Sequence, residues 1–145
     1  MKDSWYFEWR YLQHPNYKYL YAGVLDQDCK IVGLLVMRRV SHNNSYATRL
    51  VDFIGDPQVL VQAKNQLTDL VAQQESEYLD FYCYGLDGNI LSSAGFRLNK
   101  NDSDIIVPNY FEPFVQKNIP IHIFSNNFSD FRMFKADGDQ DRPNQ

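Results

Sequence analysis

The chain has 145 residues, enough for one domain with its own core, and 44% of them are hydrophobic. A net charge of −4, with basic residues scattered along the chain, excludes a phosphate-tracking surface for nucleic acid or anionic membrane. No apolar run reaches the roughly 18–20 residues that cross a bilayer, and the first residues hold no apolar signal core, so the cytoplasm is the expected compartment. Cys29 and Cys83 lie far apart without ligand-like spacing, which suits a reducing environment.

Asp3 or Ser4 is placed to cap a short helix running to Leu12, with Trp5, Trp9 and Leu12 on one face. That face is expected to be core or interface. Pro15 stops the helix. Tyr17–Leu25 and Lys30–Val40 read as a hairpin around Asp26-Gln27-Asp28, and Tyr46–Ile54 reads as a third strand after a polar loop. The expected unit is a meander of three antiparallel strands.

The period then changes. Asp56-Pro57 is a helix start, and Leu60, Ala63, Leu67, Leu70 and Val71 give one apolar face through about Glu75. Glu77–Gly85 returns to a strand, Asp87 caps a short helix, and Gly95 ends it. Phe96–Leu98, Asp104–Val107 and Ile119–Phe124 read as further strands. The crossover from Ile54 to Tyr78 has the length of a parallel connection, which makes the flanking strands neighbours. The fold class is mixed α/β: three antiparallel strands, then strand–helix–strand–helix–strands. Residues 1–135 form one domain and 136–145 a polar tail.

Two lone acids stand inside the apolar strands. Asp52 is the one polar residue of Leu50–Ile54, and Asp80 lies within Tyr78–Tyr84. A buried carboxylate requires hydrogen bonds or a cation, so each is either a general base with a tuned pKa or a structural partner of Arg38, Arg39 or Arg49. At comparable heights near the carboxyl ends of parallel strands, they would face the place where open α/β sheets hold ligands. Tyr78, Asp80, Tyr82 and Tyr84 alternate onto one face, either as proton donors and sugar-stacking rings or as a tyrosine-rich surface under a helix. Asn109, Tyr110 and Glu112, between Pro108 and Pro113, suit a carbohydrate platform or a plug over the core. Asp137, Asp139 and Asp141 imitate a calcium loop, but Arg142 stands where the loop requires glycine. The three histidines have no ligand spacing, so no metal is expected.

This order of elements, with Ala94-Gly95-Phe96 after a short helix, resembles the GNAT superfamily of acyl-CoA-dependent N-acetyltransferases. The resemblance spans Trp5 to Phe124. The Phe7-Glu8-Trp9-Arg10-Tyr11 segment, His14-Pro15, Ile31-Val32-Gly33 and the tail from Lys135 to Asn144 look like GNAT-like proteins encoded among bacterial surface-polysaccharide genes. It implies an acyltransferase that uses acetyl-CoA as co-substrate and acetylates an amine of a small metabolite, such as an amino sugar. By that resemblance Asp52 or Asp80 is the base and Tyr82 or Tyr84 the proton donor. Phe53, Ile54, Gly55, Gln58 and Val59 hold the cofactor, and Asn109, Tyr110 and Glu112 meet the acceptor.

The chain departs from the family pattern in three places. Gly55-Asp56-Pro57-Gln58-Val59 stands where the superfamily carries Arg/Gln-x-x-Gly-x-Gly/Ala. Leu91 occupies the place of a frequent tyrosine. The first strand and helix of the family are missing before Trp5, so the expectation is a fragment, a truncated reading frame, or a half-domain completed by a homodimer or another partner. The alternative reading is a non-catalytic half-domain that binds a sugar or a partner protein.

Overall fold

A computed structural model describes residues 2–100, 102–108, 117–126 and 130–138. Strand β1 (Leu20–Leu25) pairs antiparallel with β2 (Ile31–His42), and β2 pairs antiparallel with β3 (Ser45–Gly55). Both turns are set by their residues. The Asp26 carboxylate accepts the N–H groups of Asp28 and Lys30, each at 2.9 Å. Asn43 and Asn44 adopt φ of 48° and 64°, the left-handed conformation asparagine tolerates, and so close a two-residue turn between His42 and Ser45.

Helices α2 (Gln58–Gln62) and α3 (Lys64–Gln73) then carry the chain to β4 (Leu79–Phe81), which lies parallel to β3. The mixed sheet has the order β1-β2-β3-β4. Its parallel pair is the one the crossover length predicts.

The sheet is covered on both faces. Leu35, Met37, Leu50 and Phe53 pack with Leu60, Ala63 and Leu67 of α2 and α3. Val36 and Val51 pack on the opposite face with Tyr11 and Tyr19. Gly33 admits this packing: a Cβ there would come within 2.5 Å of a Val59 methyl, so only glycine lets α2 approach.

The N-terminal helix is α1 (Ser4–Phe7), capped by the Asp3 carboxylate and continued by a π turn over Glu8–Leu12. Its inward face is Tyr6, Phe7, Arg10 and Tyr11; Trp5, Trp9 and Leu12 do share a face, but it points to solvent. The expectation of a core role for these two tryptophans is therefore corrected. Tyr11 is buried to reach a carboxylate, whereas the indoles, 6.0 Å apart and parallel, cover each other.

The strand expected over Glu77–Gly85 breaks at Tyr82. Its second part is β5 (Cys83–Tyr84), which pairs with β6 (Met133–Phe134) in a separate ribbon. Helix α4 (Gly88–Ser93) carries the predicted Asp87 cap. Phe96–Leu98, Asp104–Val107 and Ile119–Phe124 are not strands. The Asn118 side chain satisfies backbone groups there instead, accepting from Val107 N–H and donating to the Ile105 carbonyl. In the tail, Ala136 is buried and a 3₁₀ turn spans Lys135–Asp137, so the packed unit extends past residue 135.

Candidate functional site

A one-residue bulge in β3 organises the site. Val36 pairs with Asp52 and Met37 with Leu50, leaving Val51 as the extra residue. Strict alternation would send Val51 and Asp52 to opposite faces. With the bulge, both turn toward the α1 face, while Leu50 and Phe53 stay with α2 and α3.

Asp52 is fully buried. Its Oδ2 accepts the Tyr11 hydroxyl at 2.5 Å; its Oδ1 takes the Lys2 ammonium at 2.5 Å and the N–H of Phe53 at 2.8 Å. Lys2 also meets Asp137 at 2.8 Å. Burial raises the Asp52 carboxyl above the usual carboxylate range, and the pull of Lys2 and Tyr11 only partly offsets it. Burial likewise opposes the charge on Lys2, but Asp52 and Asp137 outweigh it and raise the ammonium above the ordinary lysine value.

Asp80 lies elsewhere. It pairs in register with Arg49, three residues before Asp52, so the two acids are not at the same height. Arg49 Nε stands 3.3 Å from Asp80 Oδ2, and the Arg49 guanidinium donates to the Pro108 carbonyl. Thus Arg49 is the partner that sequence supplies for Asp80, while Asp52 takes Lys2, which nothing in the local sequence marks.

Tyr82 is half-buried, and its hydroxyl donates to the Val107 carbonyl at 3.0 Å. Burial, then the charge of Asp80, pushes it up to about 12. Lys135 sits 4.8 Å over its ring. Tyr84 leaves with β5 and is exposed beside Phe131. The expected single tyrosine face therefore ends at Tyr82.

Beyond Leu50 and Phe81 the strands β3 and β4 part, since β3 runs on to Gly55 without a β4 partner among the described residues. Phe134 enters that parting. Its ring is edge-on to Phe53 at 6.3 Å and stacked on Phe81 at 5.7 Å. The Lys135–Asp137 turn lies against β3 behind it.

Among the residues expected to hold a cofactor, Phe53 and Val59 are buried, Ile54 and Gly55 half-buried, and Gln58 exposed. The Phe53 N–H is engaged by Asp52, and the Gln58 N–H is engaged by the Asp56 carboxylate at 2.8 Å. Ile54 and Gly55 are the remaining backbone positions of the expected set on β3. Asn109, Tyr110 and Glu112 lie outside the described residues. Among the described residues no cluster of histidine, cysteine or carboxylate side chains could hold a metal ion, and no helix is long and apolar enough to cross a membrane.

Comparison with family models, curated proteins and solved structures finds no match to the chain.

Proposed function

We propose that the chain is an acyltransferase domain of the GNAT kind, moving an acetyl group from CoA to an amine of a small metabolite. An amino sugar of surface polysaccharide is the acceptor class that the resemblance favours. The observation that carries the reading is the Val51 bulge, which turns the buried Asp52 carboxylate onto the α1 face where β3 has run past its β4 partner.

In this reading the neutral amine attacks the thioester carbonyl and loses its proton to Asp52. The burial that raises the Asp52 pKa makes it a stronger base than an ordinary carboxylate. The backbone N–H of Ile54 or Gly55 that points away from β2 polarises the carbonyl. The departing thiolate takes a proton from Tyr84, the exposed member of the tyrosine pair. Asp80, tied to Arg49, positions β4 and does not touch the reacting atoms. Asp56 on the start of α2 opposes an anion there, so cofactor affinity is expected to be weak.

A second reading is favoured by a specific observation. Phe134 occupies the parting, and Lys2 and Tyr11 both engage Asp52, which suits a non-catalytic domain that binds a sugar or a partner protein. Thermal unfolding with millimolar CoA and acetyl-CoA separates the two. A midpoint that rises with either supports acyl transfer. A midpoint indifferent to both, but raised by a sugar nucleotide, rules it out in favour of binding.

A further inference from the structure

The Lys2 ammonium sits in a socket of two carboxylates and two rings. Two carboxylates hold it, Asp52 at 2.5 Å and Asp137 at 2.8 Å. Two rings flank it, Phe134 with its centroid at 5.0 Å and Tyr6 at 5.9 Å. Paired carboxylates and aromatic faces are the chemistry that recognises an ammonium ion.

The socket is braced independently of its occupant. Asp52 is held by the Tyr11 hydroxyl and the Phe53 N–H, and Asp137 Oδ2 accepts the Phe134 N–H at 2.9 Å. Each carboxylate keeps its orientation if Lys2 withdraws. The floor is closed, with Asp52 at 0% exposure, while the Lys2 side chain retains 23%, so the socket opens to water along the lysine stem. Lys2 also precedes the Asp3 cap and pairs with no strand, so its departure breaks no ladder.

We propose that Lys2 is a resident occupant of a primary-ammonium site and that a small amine competes with it for Asp52. The segment that carries Lys2 then regulates access to the carboxylate. As the acceptor place of an acyl transfer this rests on the function proposed above; as an ammonium site it stands without it.

The experiment empties the socket and refills it. In full-length Lys2→Ala, ethylammonium chloride should raise the thermal midpoint by about 4 °C at ten times its dissociation constant, while sodium chloride at equal ionic strength does not. The rise should shrink to near zero in Lys2→Ala/Asp137→Asn and in the unaltered chain at the same concentration. No rise in Lys2→Ala, or an equal rise in all three proteins, overturns the proposal. If Lys2→Ala does not fold, hydrogen exchange on the unaltered chain replaces it. Saturating ethylammonium should then speed exchange over residues 3–7, and unchanged exchange counts against the site. Ethylammonium binding without any response to CoA sinks acyl transfer alone; a CoA response without ethylammonium binding sinks the socket alone.

Discussion

At the scale of single residues, Asp52 ties stability to pH through one carboxylate. Its pKa is raised in the folded chain, so folding favours its protonated form. The folded protein therefore binds more protons than the unfolded one as pH rises from about 3.9, the free-chain value, through the raised value. Asp52 consequently contributes most to stability below that window, and its contribution falls as pH rises across it. Asp52→Asn, which keeps the shape and removes the titration, should show a larger loss of urea midpoint at pH 4 than at pH 7. A larger loss at pH 7 would mean that the Lys2 contact dominates the carboxyl, and a constant loss that it cancels burial. Phe134 is a second lever: with its ring between Phe53 and Phe81, Phe134→Ala should cost about 3 kcal/mol in equilibrium unfolding.

At the scale of elements, close approach of α2 to the sheet depends on a missing side chain. Gly33→Ala drives a methyl into Val59 and should destabilise the chain by about 1–3 kcal/mol, with partial recovery in Gly33→Ala/Val59→Ala. The elements most legible from sequence are those whose signals are local and redundant. The β1–β2–β3 meander follows from apolar runs between Asp26 and the Asn43-Asn44 turn, and α4 follows from Asp87. Legibility fails where a long-range contact overrides the pattern. Phe96–Leu98 carries a strand-like composition, yet Phe96 packs on Phe81 while Leu98 faces solvent. Strict alternation places Asp52 wrongly because no residue type announces the Val51 bulge. The cation that meets Asp52 comes from residue 2, fifty positions away, and no periodicity links them.

At the scale of the whole molecule, segments distant in sequence meet on one sheet face. Arg10 reaches both the Tyr19 hydroxyl and the Ala136 carbonyl, at 3.4 Å each, while Lys2 bridges Asp52 to Asp137. The two cysteines offer an independent check on this packing. Cys29 is exposed in the β1–β2 turn, whereas burial pushes the half-buried Cys83 thiol up to about 11. A thiol reagent at pH 8 should titrate one group rapidly in the native chain and both in denaturant. Rapid native labelling of both would show that β5 does not hold Cys83 against the core.

The stacked indoles of Trp5 and Trp9 carry an optical consequence. They are the chain's two tryptophans, and they are 69% and 60% exposed. Native emission should therefore resemble that of the unfolded polypeptide in wavelength. A change in tryptophan signal on adding denaturant reports the separation of two rings at one end of the chain. Circular dichroism near 220 nm and tryptophan emission will trace a common curve only if the N-terminal helix melts together with the sheet.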